Sequence, residues 1–410
     1  MIECYNFSCQ GESHKSSNKP CQDFSYSAVT DSGMSIAIVC DGHGGDRYFR
    51  SDIGAKYAAE VTLEAVGQFV ASIDQGLFEG NPYTAEEAIA LEKTLSEEPI
   101  KKQKPIDIAF RQLFSSIIFQ WNNRIVEHAT NTPISSWEAE NVDSIYLEDL
   151  KQGIKLEKIY GCTLMVYVQM PTYWFAFHLG DGKCISFQEK PLWMEPIPWD
   201  DRCFLNKTTS ICDSEAINEF RYCYQGDGHF PMAVFLGSDG LDDSFGEIEN
   251  LTNFYIQVVK MLVNEGREPT IKSIEEELPQ LSAIGSKDDM SIAFIYNIDA
   301  LQVHISDFIQ YQINLVTDNI HATDSRIEKL TQKLHLVEVT EIYSEKDKIE
   351  ADYARQDIER AKEGRTKLLL KHDALMQQLS LSISKNLCEN GEAKYDTSRI
   401  YQGSHSAIWK

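Results

Sequence analysis

The chain has 410 residues and carries 38 Lys plus Arg against 63 Asp plus Glu, a formal net charge of -25. That length exceeds what one hydrophobic core usually serves, so two structural units are expected, and hydrophobic residues at 42% of the chain suffice to build them. The acidic balance disfavours nucleic-acid backbones and anionic membrane surfaces as partners, and is compatible with metal cations or basic proteins.

The stretch Met1 to Gln10 lacks a basic region followed by a long apolar run, and no run of eighteen apolar residues occurs. Neither a signal peptide nor a membrane span is expected, and a reduced cytoplasm is the expected compartment. The ten cysteines include no CxxC pair, which argues against structural zinc. Ser35–Cys40 is an apolar run ending in a turn and predicts a buried strand. Helical spacing of apolar residues predicts helices over Phe49 to Val70 and Ile106 to Val126. Between them, about 77–105, Glu79, Glu86, Glu87, Glu92, Glu97 and Glu98 mark an insertion, and about 131–158 reads as a second. A solvated acidic face accounts for the glutamates. Further strands are predicted over Thr163–Gln169 continuing at Trp174–His178, over Ala233–Leu236, and over Met290–Tyr296.

After Tyr296 the character changes. From Ile305 to Ser384 there is no proline and one glycine, Gly364. Ile313, Val316, Ile320, Thr323, Ile327, Leu330, Leu334 and Val337 follow alternating three- and four-residue steps. Ala351, Ala354, Ile358, Ala361, Arg365, Leu368, His372 and Leu375 repeat the steps in another phase. That is the seam of a coiled coil or a helical hairpin, with a stutter or turn between about Thr340 and Lys348. Residues 299–385 are therefore expected to be helical and 386–410 a polar tail, with 305–384 available for dimerisation or partner docking.

The strands share a feature. Asp41-Gly42, Gly180-Asp181-Gly182, Ser238-Asp239-Gly240 and Lys287-Asp288-Asp289 each adjoin a strand end. One Asp-Gly alone is ordinarily a turn. Several carboxylates converging on one mouth would repel one another unless cations neutralise them, and hard divalent ions such as Mg²⁺ and Mn²⁺ take such oxygen ligands.

Val39-Cys40-Asp41-Gly42-His43-Gly44-Gly45 resembles the signature of the metal-dependent Ser/Thr protein phosphatases, the type 2C family. The family's other blocks are resembled in order by Pro20-Cys21-Gln22-Asp23, Tyr160-Gly161-Cys162-Thr163-Leu164, His178-Leu179-Gly180-Asp181-Gly182, Gly237-Ser238-Asp239-Gly240-Leu241-Asp242-Asp243 and Gly285-Ser286-Lys287-Asp288-Asp289-Met290-Ser291. The likeness covers about residues 5–298. It implies an α+β fold of two stacked antiparallel sheets flanked by helices over 1–298, and metal-dependent hydrolysis of phosphoserine and phosphothreonine in proteins. It further implies two core Mn²⁺ or Mg²⁺ ions, with Asp41 bridging them, the Gly42 carbonyl binding one, and Asp239 and Asp288 completing the other. Gln22 would act through a water, Asp23 would order that water, and Asp181 with Asp243 would hold a weaker third ion. His43 matches the proposed general acid for the leaving alcohol.

The chain also departs from the family pattern. Asn18 stands where many members carry a phosphate-gripping arginine, and asparagine cannot form the charged bidentate fork. The upstream segment Gly11-Glu12-Ser13-His14 resembles a bacterial branch carrying histidine, so His14, Lys15 or Lys19 would supply the missing charge. Asp242 replaces the usual tryptophan. The alternatives in another class are a pseudophosphatase, or a signalling scaffold in which the helical region does the main work.

Overall fold

In the structure, a computed structural model, residues 1–79, 105–203, 208–338 and 345–389 are described. The acidic insertion expected over 77–105 and the tail after Asn386 lie for the most part outside them. The chain divides into two compact units, Met1–Leu301 and Gln302–Lys410.

Among the described residues the first unit holds ten strands. They are β1 (Ile2–Cys9), β2 (Phe24–Val29), β3 (Ser35–Cys40), β4 (Leu164–Gln169), β5 (Trp174–Leu179), β6 (Lys183–Phe187), β7 (Trp193–Met194), β8 (Arg221–Gln225), β9 (Ala233–Gly237) and β10 (Met290–Asn297). They form two five-stranded sheets in the orders β1-β10-β9-β6-β7 and β2-β3-β4-β5-β8, with every pairing antiparallel. The predicted run from Thr163 folds back at Pro171 as the β4–β5 hairpin, where the Met170 N–H donates to the Tyr173 carbonyl at 2.8 Å.

Strand periodicity explains why two sheets stack. On β3, Ala37 and Val39 face the sandwich interior with Met165, Tyr167, Val234, Leu236 and Ala293. Ile36, Ile38 and Cys40 face outward into a second core beneath α1 (Ser51–Ser72) and α2 (Pro105–Asn131). All six residues of β3 are buried, as a central strand covered on both faces requires. Phe235 of β9 stacks on Tyr255 at 4.5 Å between ring centroids, which seats the helix Ile248–Asn264 on the other sheet.

The stretch read as a second insertion folds into short helices, Ser136–Asn141, Ser144–Gln152 and Leu156–Ile159. It is anchored: Leu147, Leu150, Leu156 and Ile159 join the outer core. Glu138 is buried against Arg50, carboxylate to guanidinium at 2.5 Å.

The described residues of the second unit form two long helices, Ile298–Glu338, whose first turn belongs to the first unit, and Glu345–Glu389. Asp324 pairs with Arg365, and Lys333 with Glu350 at 2.7 Å, so the helices run antiparallel. The predicted seam is the buried one: Ile313, Val316, Ile320, Ala351, Ala354, Ile358, Ala361 and Leu375 are buried.

Candidate metal centre

The strand registers gather the acidic blocks at one end of the sandwich. Phe24 pairs with Cys40, Lys183 with Gly237, Gly237 with Ile292, and Cys9 with Met290. Each pair closes its ladder near the same mouth. Gln22 and Asp23 therefore precede β2 where Asp41 follows β3. Asp181 occupies the β5–β6 turn, Asp239 opens the helix Asp239–Phe245, and Asp288 and Asp289 lead into β10.

The electrostatics show how tightly these groups converge. Burial, then the neighbouring Asp239, raises the Asp41 carboxyl well above the carboxylate range. Burial, then Asp289 and Asp239, does the same to Asp23. Burial, then Asp239, pushes Asp181 up to about 6; Asp243 and Asp288 remain open to solvent and are raised by partial desolvation at the mouth and then by Asp239. Asp239 is thus the hub, acting on Asp23, Asp41, Asp181, Asp243 and Asp288 and more weakly on Asp242. Asp242 also rises to about 6 through burial, with Lys183 opposing.

Two buried oxygens at this mouth, Gln22 Oε1 and Asp23 Oδ2, accept no hydrogen bond. Orphaned oxygens beside mutually repelling carboxylates are the donor set a hard divalent cation requires. Among the described residues, no three His, Cys, Asp or Glu side chains stand close enough to ring one ion. A cation here would complete its shell from backbone carbonyls and waters, as Mg²⁺ and Mn²⁺ commonly do. Gly42, the expected carbonyl ligand, is buried at the mouth.

Asp288 and Asp289 divide their labour. Asp288 is exposed toward the mouth, whereas Asp289 is buried and accepts from the Gly11 N–H and the Gln22 N–H at 2.6 Å each, and from His14 Nδ1 at 2.8 Å. Burial alone would raise Asp289, but these donors outweigh it and hold the carboxyl below its usual value. His14 is raised in turn, first by its hydrogen bond to Asp289. His14 is therefore engaged inside the protein, with Nε2 3.9 Å from Asp288. Lys19 donates to the Gly44 carbonyl at 2.9 Å and lies 3.7 Å from Asp46, and Lys15 lies 3.8 Å from Glu12. Asn18 takes a left-handed backbone, φ 55°.

His43 is held on several sides. Its N–H donates to the Gly161 carbonyl at 3.1 Å, its carbonyl accepts from Ser51 Oγ at 3.0 Å, and Tyr48 packs edge-on with centroids 4.7 Å apart. Burial pushes its imidazole down to about 4.

Three supports escaped the sequence reading. Asp289 adjoins the expected ligand Asp288 in the same acidic block, and its burial separates their roles. Arg50, just before α1, fixes the base of the His43 loop through Glu138 and the Tyr160 hydroxyl at 3.0 Å. The loop of Thr208, Thr209 and Ser210 reaches Asp181, the Gly180 N–H and His43 respectively. It carries no motif, and its partners are distant in sequence, so no signal marks it.

The chain matches the family model described as protein phosphatase 2C over residues 10–279. No curated protein matches it in sequence. Among solved structures it is similar to the S. agalactiae serine/threonine phosphatase, with 14% identity, 72% of this chain and 99% of that one covered, and a TM-score of 0.40. The Staphylococcus aureus serine/threonine phosphatase Stp1 gives 15% identity, 72% and 95% coverage, and a TM-score of 0.40. The catalytic domain of the phosphatase PstP, in complex with two manganese ions, gives 12%, 72% and 97%, and 0.39. Among the described residues, no helix is long and apolar enough to cross a membrane.

Proposed function

The chain belongs to the protein phosphatase 2C family, and on that premise we propose that it hydrolyses phosphoserine and phosphothreonine in proteins at a two-metal centre built on the Asp239 hub. Residues 1–298 are the proposed catalytic unit. The observation that supports this most is the convergence of Asp23, Asp41, Asp181, Asp243 and Asp288 on Asp239 beside two unpartnered oxygens.

In this reading Asp41, Asp239, Asp288 and the Gly42 carbonyl hold the core pair of Mn²⁺ or Mg²⁺ ions. Asp181 and Asp243 hold a weaker third, and Gln22 and Asp23 order water through their open oxygens. The ions, when bound, supply Lewis acidity to the hydrolytic water and to the phosphoryl oxygens. His43 delivers a proton to the departing serine or threonine oxygen. Because burial keeps its ring neutral at pH 7, that role requires the substrate's phosphate dianion to raise its proton affinity on binding. Of the three cationic candidates for the phosphate, Lys19 is best placed, beside Gly44, while His14 braces Asp289. A pseudophosphatase would have shed acidic ligands, and here the acidic blocks are whole.

The test is release of phosphate from a phosphothreonine peptide by the full-length protein with Mn²⁺ or Mg²⁺. Release abolished by EDTA is expected; no release with either metal overturns the reading.

A further inference from the structure

We propose that Ser210 is a positioning residue for His43, holding its ring as the tautomer with hydrogen on Nε2 and leaving Nδ1 open for the reacting oxygen. The inference rests on the phosphatase reading for its purpose, though the hydrogen bonding stands without it.

Ser210 Oγ lies 2.7 Å from His43 Nε2, 2.9 Å from the Cys162 carbonyl oxygen, 3.1 Å from Cys212 Sγ, and 3.3 Å from the Cys212 N–H. A hydroxyl has one proton to give. The carbonyl can only accept, so a 2.9 Å contact with no proton between the oxygens would be repulsive. Giving that proton to Cys162 leaves the hydroxyl as acceptor toward the ring, and Nε2 must then be the donor. Only this arrangement places a proton in both of the two shortest contacts, and the Cys212 thiol is left to donate or to stand as a weak neighbour. Nδ1 has no hydrogen-bond partner among the described residues.

The hydroxyl is itself fixed. Ser210 is 2% exposed. Its N–H donates to Asp213 at 3.0 Å, and Asp213 pairs with Lys158 at 2.7 Å. The next residue, Ile211, donates its N–H to the same Cys162 carbonyl at 3.1 Å. Gly161 gives the ring room: a Cβ there would stand 2.9 Å from His43 Cδ2 and 2.8 Å from Cys212 Sγ. A ring held at one nitrogen by a rigid hydroxyl presents the other in a constant direction, the preorganisation that proton transfer to a leaving group demands.

The first test is long-range ¹H–¹⁵N NMR of metal-free, histidine-labelled full-length protein at pH 7, with the His43 signals identified by their loss in His43→Asn. Hydrogen on Nε2 with bare Nδ1 is expected; hydrogen on Nδ1 overturns the proposal, whether or not the protein proves to be an enzyme. The second compares Ser210→Ala and Ser210→Thr on two substrates with Mn²⁺. A phosphothreonine peptide needs its leaving oxygen protonated, whereas p-nitrophenyl phosphate scarcely does. For Ser210→Ala, kcat should fall about 10–100-fold on the peptide and less than about 3-fold on p-nitrophenyl phosphate, with Ser210→Thr recovering the difference. Equal losses on both substrates would show a merely structural role and overturn the proposal. Wild-type protein inert toward both substrates would overturn the phosphatase reading, and the NMR result would still decide the Ser210–His43 bond.

Discussion

Replacing Glu138 with alanine leaves the Arg50 guanidinium buried with its anionic partner gone. Arg50 is 3% exposed and Glu138 7%, and their contacts lie at 2.5 and 3.2 Å. Breaking one side of a buried ion pair costs about 3–5 kcal/mol. Glu138 also closes a capping box with Ser135, whose loss adds about 1 kcal/mol. Against this, Arg50 keeps the Tyr160 hydroxyl at 3.0 Å and the Pro133 carbonyl at 3.3 Å, so a net loss of about 3–4 kcal/mol is expected. Urea unfolding followed by tryptophan fluorescence, with Trp121 fully buried in the same core, should show the midpoint lower by about 1–2 M. The sign of the pH dependence is fixed. Burial opposes ionisation of Glu138, but Arg50 and the Ser135 N–H outweigh it and lower its pKa. Its contribution is therefore complete above the unfolded value of 4.5 and is lost as pH falls through the lower folded value. The gap between wild type and Glu138→Gln should close in acid. A midpoint change below about 0.3 M at pH 7 would refute the reasoning.

Asp23→Asn removes a buried carboxyl whose ionisation is opposed by burial and by Asp289 and Asp239. The metal-free protein should become more stable at pH 8, read by its melting temperature, while Mn²⁺ binds more weakly in calorimetry. His14→Gln should destabilise the protein most between about pH 4 and 6.5. The raised His14 contributes fully below 6.5 and loses its effect as pH climbs through its folded value, while the lowered Asp289 contributes fully above 3.8; a pH series of urea midpoints checks this.

Much of this architecture is legible in the sequence where one local signal decides it. β3, β9 and β10 are mainly apolar runs covered on both faces, and periodicity marks the helical seam from Ile313 to Leu375 while leaving coiled coil and hairpin both open. β1 and β2 are not, because their residues are partly exposed and mix Glu, Asn and Ser among the apolar ones. The acidic blocks are readable because Asp-Gly turns mark strand ends. What sequence cannot express is which of two adjacent aspartates turns inward: Asp289 is chosen by N–H groups from Gly11 and Gln22, more than 260 positions away. Ser210 is hidden for the same reason, since its meaning lies in Cys162 and His43.

The central claim is that the Asp239 hub binds divalent cations. Mn²⁺ titrated calorimetrically into full-length protein and into Asp239→Asn tests it directly, since the amide keeps the shape and removes the charge. Saturable binding by the wild type, weakened at least about tenfold in the variant, is predicted. Equal binding by both proteins, or none by the wild type, would contradict the account.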